Sequence, residues 1–128
     1  MSRYRIDHVH LRSPDPDRAA AFYTDMLGAR QTGRQDTPAG LRVMLDLGGL
    51  AVFIERVPAD THRPPEPPFL GLEHIGLAVD DLDAVAAELR DRGVRFTMEP
   101  TSPRPGLKIC FIEAPDGVRV ELLQRAPA

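Results

Sequence analysis

The sequence predicts an α+β protein made of two copies of one βαβββ module, and three observations lead there. Segments Ile6-Asp7-His8-Val9-His10-Leu11 and Leu72-Glu73-His74-Ile75-Gly76-Leu77 open the two halves of the 128-residue chain with matching apolar positions and a matching histidine. Each is followed by a helical pattern started by Asp and closed by Gly, and then by three runs of strand character. Between the halves, prolines 58, 64, 65, 67 and 68 rule out a helix interior or central strand and favour stiff extended backbone. The expected organisation is a first module over 1–57, a proline-rich linker over 58–70 and a second module over 71–128. Each half alone is marginal in size, so the two repeats should depend on each other, as one structural domain, or on a second subunit.

In chain order, residues 4–12 read as a strand with His8, His10 and Arg12 on one face and Val9 and Leu11 on the other. Asp15 then suits a helix N-cap and Pro16 the first helical position. Ala19, Ala20, Phe22, Tyr23, Met26 and Leu27 follow at helical spacing, and Gly28 supplies the stop. Strands are expected near 29–35, over Leu41–Leu47 and over Leu50–Arg56, with 36–40 as a connection and Gly48-Gly49 as a hairpin turn. The second half repeats this: a strand over 72–79, then Asp80 or Asp81 capping a helix through Leu82, Val85, Ala86 and Leu89, which Gly93 ends. Strands near 94–98, 107–113 and 118–123 follow, the last two joined at Asp116-Gly117. Pro100, Pro103, Pro105 and Gly106 mark 99–106 as an irregular loop, where substrate contacts often sit, and Arg104 is the candidate contact in it.

Composition narrows the functions. A net charge of −3 without a basic run gives no general attraction to nucleic acid, although fifteen of the sixteen basic residues are Arg, a side chain suited to clamping carboxylates. Cys110 is the only cysteine, so an internal disulfide is impossible and a cytoplasmic setting is expected; its apolar neighbours Ile109 and Phe111 mark it as core. No apolar run approaches membrane-spanning length, and the first residues lack the apolar segment of an export signal.

His8 and His74 are 66 positions apart, and so are Glu55 and Glu121. Each half thus carries one His and, 47 residues later, one Glu. Two imidazoles and two carboxylates repeated at one offset suit a site that surrounds one divalent metal ion, whether Ni²⁺, Co²⁺, Mn²⁺, Fe²⁺ or Zn²⁺. His10 shares the face of His8, but its repeat counterpart is Gly76, so it stands outside the symmetric set as a pocket-lining or supporting residue.

Several stretches, taken in order, resemble the vicinal oxygen chelate superfamily of glyoxalase I, methylmalonyl-CoA epimerase, extradiol dioxygenases and bleomycin resistance proteins. They are His8 with Arg12, Ala21-Phe22-Tyr23, Leu27-Gly28, Val52-Phe53-Ile54-Glu55, Glu73 to Asp80, and Phe111 to Glu121. The resemblance covers essentially the whole chain. It implies paired βαβββ modules forming a curved mixed sheet around a metal held by His8, Glu55, His74 and Glu121, in a homodimer with sites shared between subunits. The ligand set is most similar to that of bacterial glyoxalase I, which implies Glu121 as the base, Glu55 as the alternative, and Arg12 as a contact for substrate anions. The segment Arg56-Val57-Pro58-Ala59 lacks the Asn that glyoxalases present to glutathione conjugates, and 102–108 lacks their glycine-rich basic loop.

The expected function is therefore that of a metal-dependent lyase or isomerase, glyoxalase-like or epimerase-like. It would remove a proton next to a chelated carbonyl of a small substrate. The alternatives are a drug-sequestering resistance protein of the same fold and an Fe²⁺-dependent dioxygenase.

Overall fold

The computed structural model describes residues 2–126; Met1, Pro127 and Ala128, the outer ends of the two expected modules, lie outside the described residues. The chain divides into two compact units between His62 and Arg63. In the first, β1 (Val9–Ser13), α1 (Pro16–Leu27), β2 (Arg30–Thr37), β3 (Gly40–Leu47) and β4 (Leu50–Arg56) follow one another. The second repeats the order with β5 (Ile75–Ala78), α2 (Leu82–Asp91), β6 (Phe96–Arg104), β7 (Leu107–Glu113) and β8 (Arg119–Arg125). Each unit holds one four-stranded mixed sheet, ordered β1-β4-β3-β2 and β5-β8-β7-β6, whose first strand runs parallel to the last and whose other pairs are antiparallel. The α+β class and the doubled βαβββ order expected above are those observed.

Local chemistry sets the elements. Asp15 accepts a hydrogen bond from the Arg18 backbone N–H and Asp81 one from that of Ala84, so both helices begin at side-chain caps. Gly28 ends α1 in the left-handed conformation, which glycine adopts without steric penalty. Strand alternation then assigns faces. In β3 and β4, Val43, Leu45, Leu47, Val52 and Ile54 are buried, and α1, which packs on both strands, adds Ala19, Ala20 and Tyr23. In the second unit, Cys110, Ile112, Val120 and Leu122 of the sheet are buried with Leu82, Ala86 and Leu89 of α2. The opposite face of each sheet carries the polar side chains of interest. Cys110 is core as expected, and burial pushes its thiol up to about 11.

Four boundaries differ from expectation. The opening strands are shorter, starting at Val9 and Ile75, so His8 and His74 each stand one residue before a strand. β2 runs on to Thr37, which shrinks the 36–40 connection to Pro38-Ala39. The presumed loop over 99–106 is mostly strand, because β6 continues to Arg104. As the edge strand it tolerates Pro100 and Pro103, and its ladder to β7 absorbs three register shifts. The end of the proline-rich stretch is more than a spacer: Pro64 and Arg63 lie against the turn at Gly117, and Arg63–Phe69 helps to line a recess.

Candidate metal-binding residues and a substrate recess

In the second unit, His74 and Glu121 are brought together, with His74 Nε2 3.7 Å from Glu121 Oε1. β5 and β8 pair Gly76 with Glu121, and a Cβ on Gly76 would stand 3.5 Å from that same oxygen, so glycine leaves the carboxylate an open flank. The other imidazole nitrogen is engaged: His74 Nδ1 donates to Glu73 Oε1 at 2.8 Å. Glu73 is held in turn by Arg119, whose guanidinium also lies over the Phe111 ring, 4.6 Å from its centre. This contact selects the tautomer with a proton on Nδ1 and leaves the Nε2 lone pair facing Glu121. An imidazole nitrogen and a carboxylate oxygen, both of them donor types that suit a divalent metal, thus lie side by side, with a second carboxylate orienting the imidazole.

The first unit repeats only part of this. His8 Nδ1 donates to Asp7 Oδ2 at 2.7 Å, which again leaves Nε2 free. Its ring is stacked on Phe53, with centroids 4.2 Å apart and planes 16° from parallel. Glu55, the expected carboxylate partner, is engaged elsewhere. Its Oε1 accepts from Arg42 at 2.9 Å and from His10 Nε2 at 3.0 Å, and its Oε2 accepts from the Thr37 hydroxyl at 3.0 Å. Those donors, Arg42 foremost and Thr37 next, hold the Glu55 carboxyl down at about 2, against the upward push of burial. The acid is one of two buried polar or charged residues among those described, and the cationic guanidinium of Arg42 offsets its burial. Among the described residues, no group of three or more His, Cys, Asp or Glu side chains is placed to hold a metal ion. Of the four expected ligands, His74 and Glu121 are brought side by side within the second unit, whereas within the first His8 stacks on Phe53 and Glu55 is engaged by Arg42, His10 and Thr37.

The ladder registers explain the difference. β1 pairs His10 with Phe53 and Arg12 with Glu55, whereas β5 pairs Gly76 with Glu121. If His8 and His74 are equivalent, the position equivalent to Glu121 is Phe53, and the equal offset of 66 between the two acids does not correspond to equal places in the sheets. Four residues separate the paired positions Asp46 and Ala51 at the β3–β4 turn, but five separate Glu113 and Arg119 at the β7–β8 turn. A further residue is gained before β7, where α2 is also shorter than α1.

Of the other candidates, His10 supports Glu55, and Arg12 is exposed on the face of His10, next to Glu55 in the ladder. Arg104 lies at the β6–β7 turn opposite Leu107, four residues along β7 from Phe111, the ladder partner of Glu121. That is about 13 Å along the strand, which sets Arg104 apart from the His74–Glu121 pair. Sequence reasoning missed Asp7 and Glu73, although an acid directly before each histidine was a visible signal. It also missed a recess of about 400 Å³ in the second unit, lined by Arg63, Pro65, Phe69, Thr97, Glu113 and Arg119 among others. Arg119 joins that recess to the histidine through Glu73.

Known proteins resemble the chain throughout its length. It is 31% identical to a probable lactoylglutathione lyase of Synechocystis, with 91% of this chain and 92% of that protein covered. It is 32% identical to a probable chloroplastic lactoylglutathione lyase of Arabidopsis thaliana, where the match takes in 96% of this chain but only 36% of the longer relative. The crystal structure of glyoxalase I from Zea mays superposes with a TM-score of 0.80 at 28% identity, over 97% of this chain and 46% of the maize chain. The sequence profile of one family matches residues 5–122, and together with the doubled βαβββ architecture this places the chain in the Glyoxalase/Bleomycin resistance protein/Dioxygenase superfamily.

Proposed function

We propose that the chain is a metal-dependent lyase or isomerase of the glyoxalase type, working on a small substrate with two adjacent oxygens. The observation that carries this reading is the His74–Glu121 pair, with Glu73 fixing the imidazole so that its free nitrogen and a carboxylate oxygen face the same space. A divalent ion held by the candidate ligands would supply Lewis acidity to the substrate oxygens. The protein's own part is to move the proton. Glu121 takes it from the carbon next to the carbonyl, so that the C–H pair becomes a C=C bond and the C=O π pair moves onto its oxygen; the neighbouring hydroxyl then gives its proton to that oxygen and becomes the new carbonyl as the same carboxylate returns the first proton to the former carbonyl carbon. Glu121 suits this role better than Glu55, whose three donors lower the affinity of its carboxylate for a proton. The recess beside Arg119 would hold the remainder of the substrate and keep water from it. Two copies of the chain form the working assembly in this proposal.

The test is a substrate screen on metal-reconstituted protein, followed by solvent deuterium exchange at the substrate α-carbon. Glu121→Gln keeps an oxygen for the metal but lacks the basic carboxylate, so exchange and turnover at matched metal occupancy should fall by about 10²–10⁴-fold. Exchange at the wild-type rate in that variant would exclude Glu121 as the base. Protein that takes up a drug-like ligand without binding metal would favour sequestration, and oxygen uptake with Fe²⁺ would favour a dioxygenase.

A further inference from the structure

The geometry points to the recess of the second unit as a seat for a carboxylate carried on an apolar body, with Arg63 as its charged contact and the chain's own proline-rich segment as one wall. This rests on the reading above that the recess holds the part of the substrate that does not react. It adds the substrate's class: a monoanion whose carboxylate stands well apart from the two adjacent oxygens.

The recess, of about 400 Å³, is of a size that suits a small organic molecule. One wall is the segment from Arg63 to Phe69, in which Pro64, Pro65 and Pro67 fix the backbone and the half-buried Phe69 supplies an aromatic surface. A wall so stiffened needs little ordering when a ligand arrives. Three guanidiniums line the space, and two of them are already committed. Arg95 Nη1 lies 3.2 Å from Glu113 Oε2, and Arg119 is held by Glu73. Arg63 has no ion-pair partner among the described residues. Its Nη2 would stand 3.7 Å from a Cβ at Gly117, so the guanidinium rests on the turn between β7 and β8. A planar fork of N–H donors without a carboxylate of its own matches the two oxygens of a ligand carboxylate. The acids of the lining, Glu66 and Glu113, leave the three guanidiniums a single excess positive charge, which suits a monoanion and opposes a phosphate dianion. The ladder sets the spacing. Glu113 pairs with Arg119 and Phe111 with Glu121, so the recess begins two residues, about 7 Å, along the strand from Glu121. A carboxylate that adjoins the reacting carbons cannot span this, whereas one on an apolar spacer of about five bonds or more can.

The experiment titrates full-length, metal-free protein at neutral pH with three probes of one shape, benzoate, benzamide and phenyl phosphate. Binding is followed by chemical-shift changes in the NMR spectrum, with circular dichroism on each variant to confirm folding. Benzoate should bind at least about fivefold more tightly than either other probe, with shifts centred on Phe69 and Thr97. Arg63→Gln should lower benzoate affinity by about fivefold and leave benzamide within about twofold. Equal binding of benzoate and benzamide, tighter binding of phenyl phosphate, or shifts centred away from the recess would overturn the assignment. If Arg63→Gln does not fold, wild-type protein in about 1 M NaCl decides: the preference for benzoate should shrink toward that for benzamide, and an undiminished preference overturns the charged contact. The two readings fail separately. Metal-reconstituted protein that exchanges the α-proton of a carboxylate-free substrate, at a rate unchanged by Arg63→Gln, overturns the carboxylate seat and keeps the lyase or isomerase. Benzoate binding as described, with no proton exchange on any substrate screened, overturns the lyase or isomerase and keeps the seat.

Discussion

Each of the two site histidines takes its orientation from the residue directly before it in the chain. Asp7 and Glu73 fix Nδ1 of His8 and His74, and Arg119 holds the second of these acids in place. In a regular strand, neighbours point to opposite faces, so an acid at that position would be read as turned away from its histidine. The contact forms because His8 and His74 precede their strands instead of lying within them. That is why the acid before each histidine, though visible in the sequence, could not be read there as its hydrogen-bond partner. Glu73→Gln should weaken metal binding by about 10–100-fold while the fold survives, as measured by competition against a chelator of known affinity. Unchanged affinity would mean that His74 is oriented by its surroundings without Glu73.

Most of the elements could be read from periodicity and caps: both helices, the Gly48-Gly49 turn and the Asp116-Gly117 turn lie where expected. The strand expected near 94–98 is the start of β6, but its run on to Arg104 could not be read, because prolines at positions 100 and 103 are a strong argument against a strand unless it is known to lie at a sheet edge, and edge position is a tertiary property. Turn residues alone also failed to reveal the unequal hairpins, since a one-residue difference between two plausible turns leaves no mark in composition. The β7–β8 turn offers a direct test of how the proline-rich segment is seated. Gly117 has a φ of +76°, and a Cβ there would stand 2.7 Å from Pro64 Cγ, part of a stiff ring. Gly49 has a φ of +100° with open space around it. Gly117→Ala should therefore lower the melting temperature by roughly 3–8 °C and more than Gly49→Ala does, in paired thermal unfolding experiments. Equal losses would show that only backbone strain matters and that Pro64 yields freely.

At the scale of the whole molecule, no helix among the described residues is long and apolar enough to cross a membrane. What the surface does present is a repeated apolar feature. Tyr4 and Ile6, four and two residues before His8, are largely exposed, and so are Leu70 and Leu72, four and two residues before His74. Each precedes the strand at the edge of its sheet, where unpaired backbone groups add to the attraction for another surface. The proposed homodimer would cover these side chains. Sedimentation at micromolar concentration should show a dimer for wild type and a shift toward monomer when Ile6 and Leu72 are both changed to Ser. A wild-type monomer with full activity would remove the dimer from the proposal.

The unequal turns carry one more consequence. A strand that slides by two residues keeps the same side chains facing the same way and moves each by a single pleat, so lengthening or shortening the preceding turns can bring a new residue beside a fixed histidine while the buried face stays apolar. In β4 that choice lies between Phe53 and Glu55, both already present and both on the right side of the sheet. The length of a surface turn can thus act as a selector of local chemistry, changing which side chain stands beside a histidine without a single substitution in the strand that carries it.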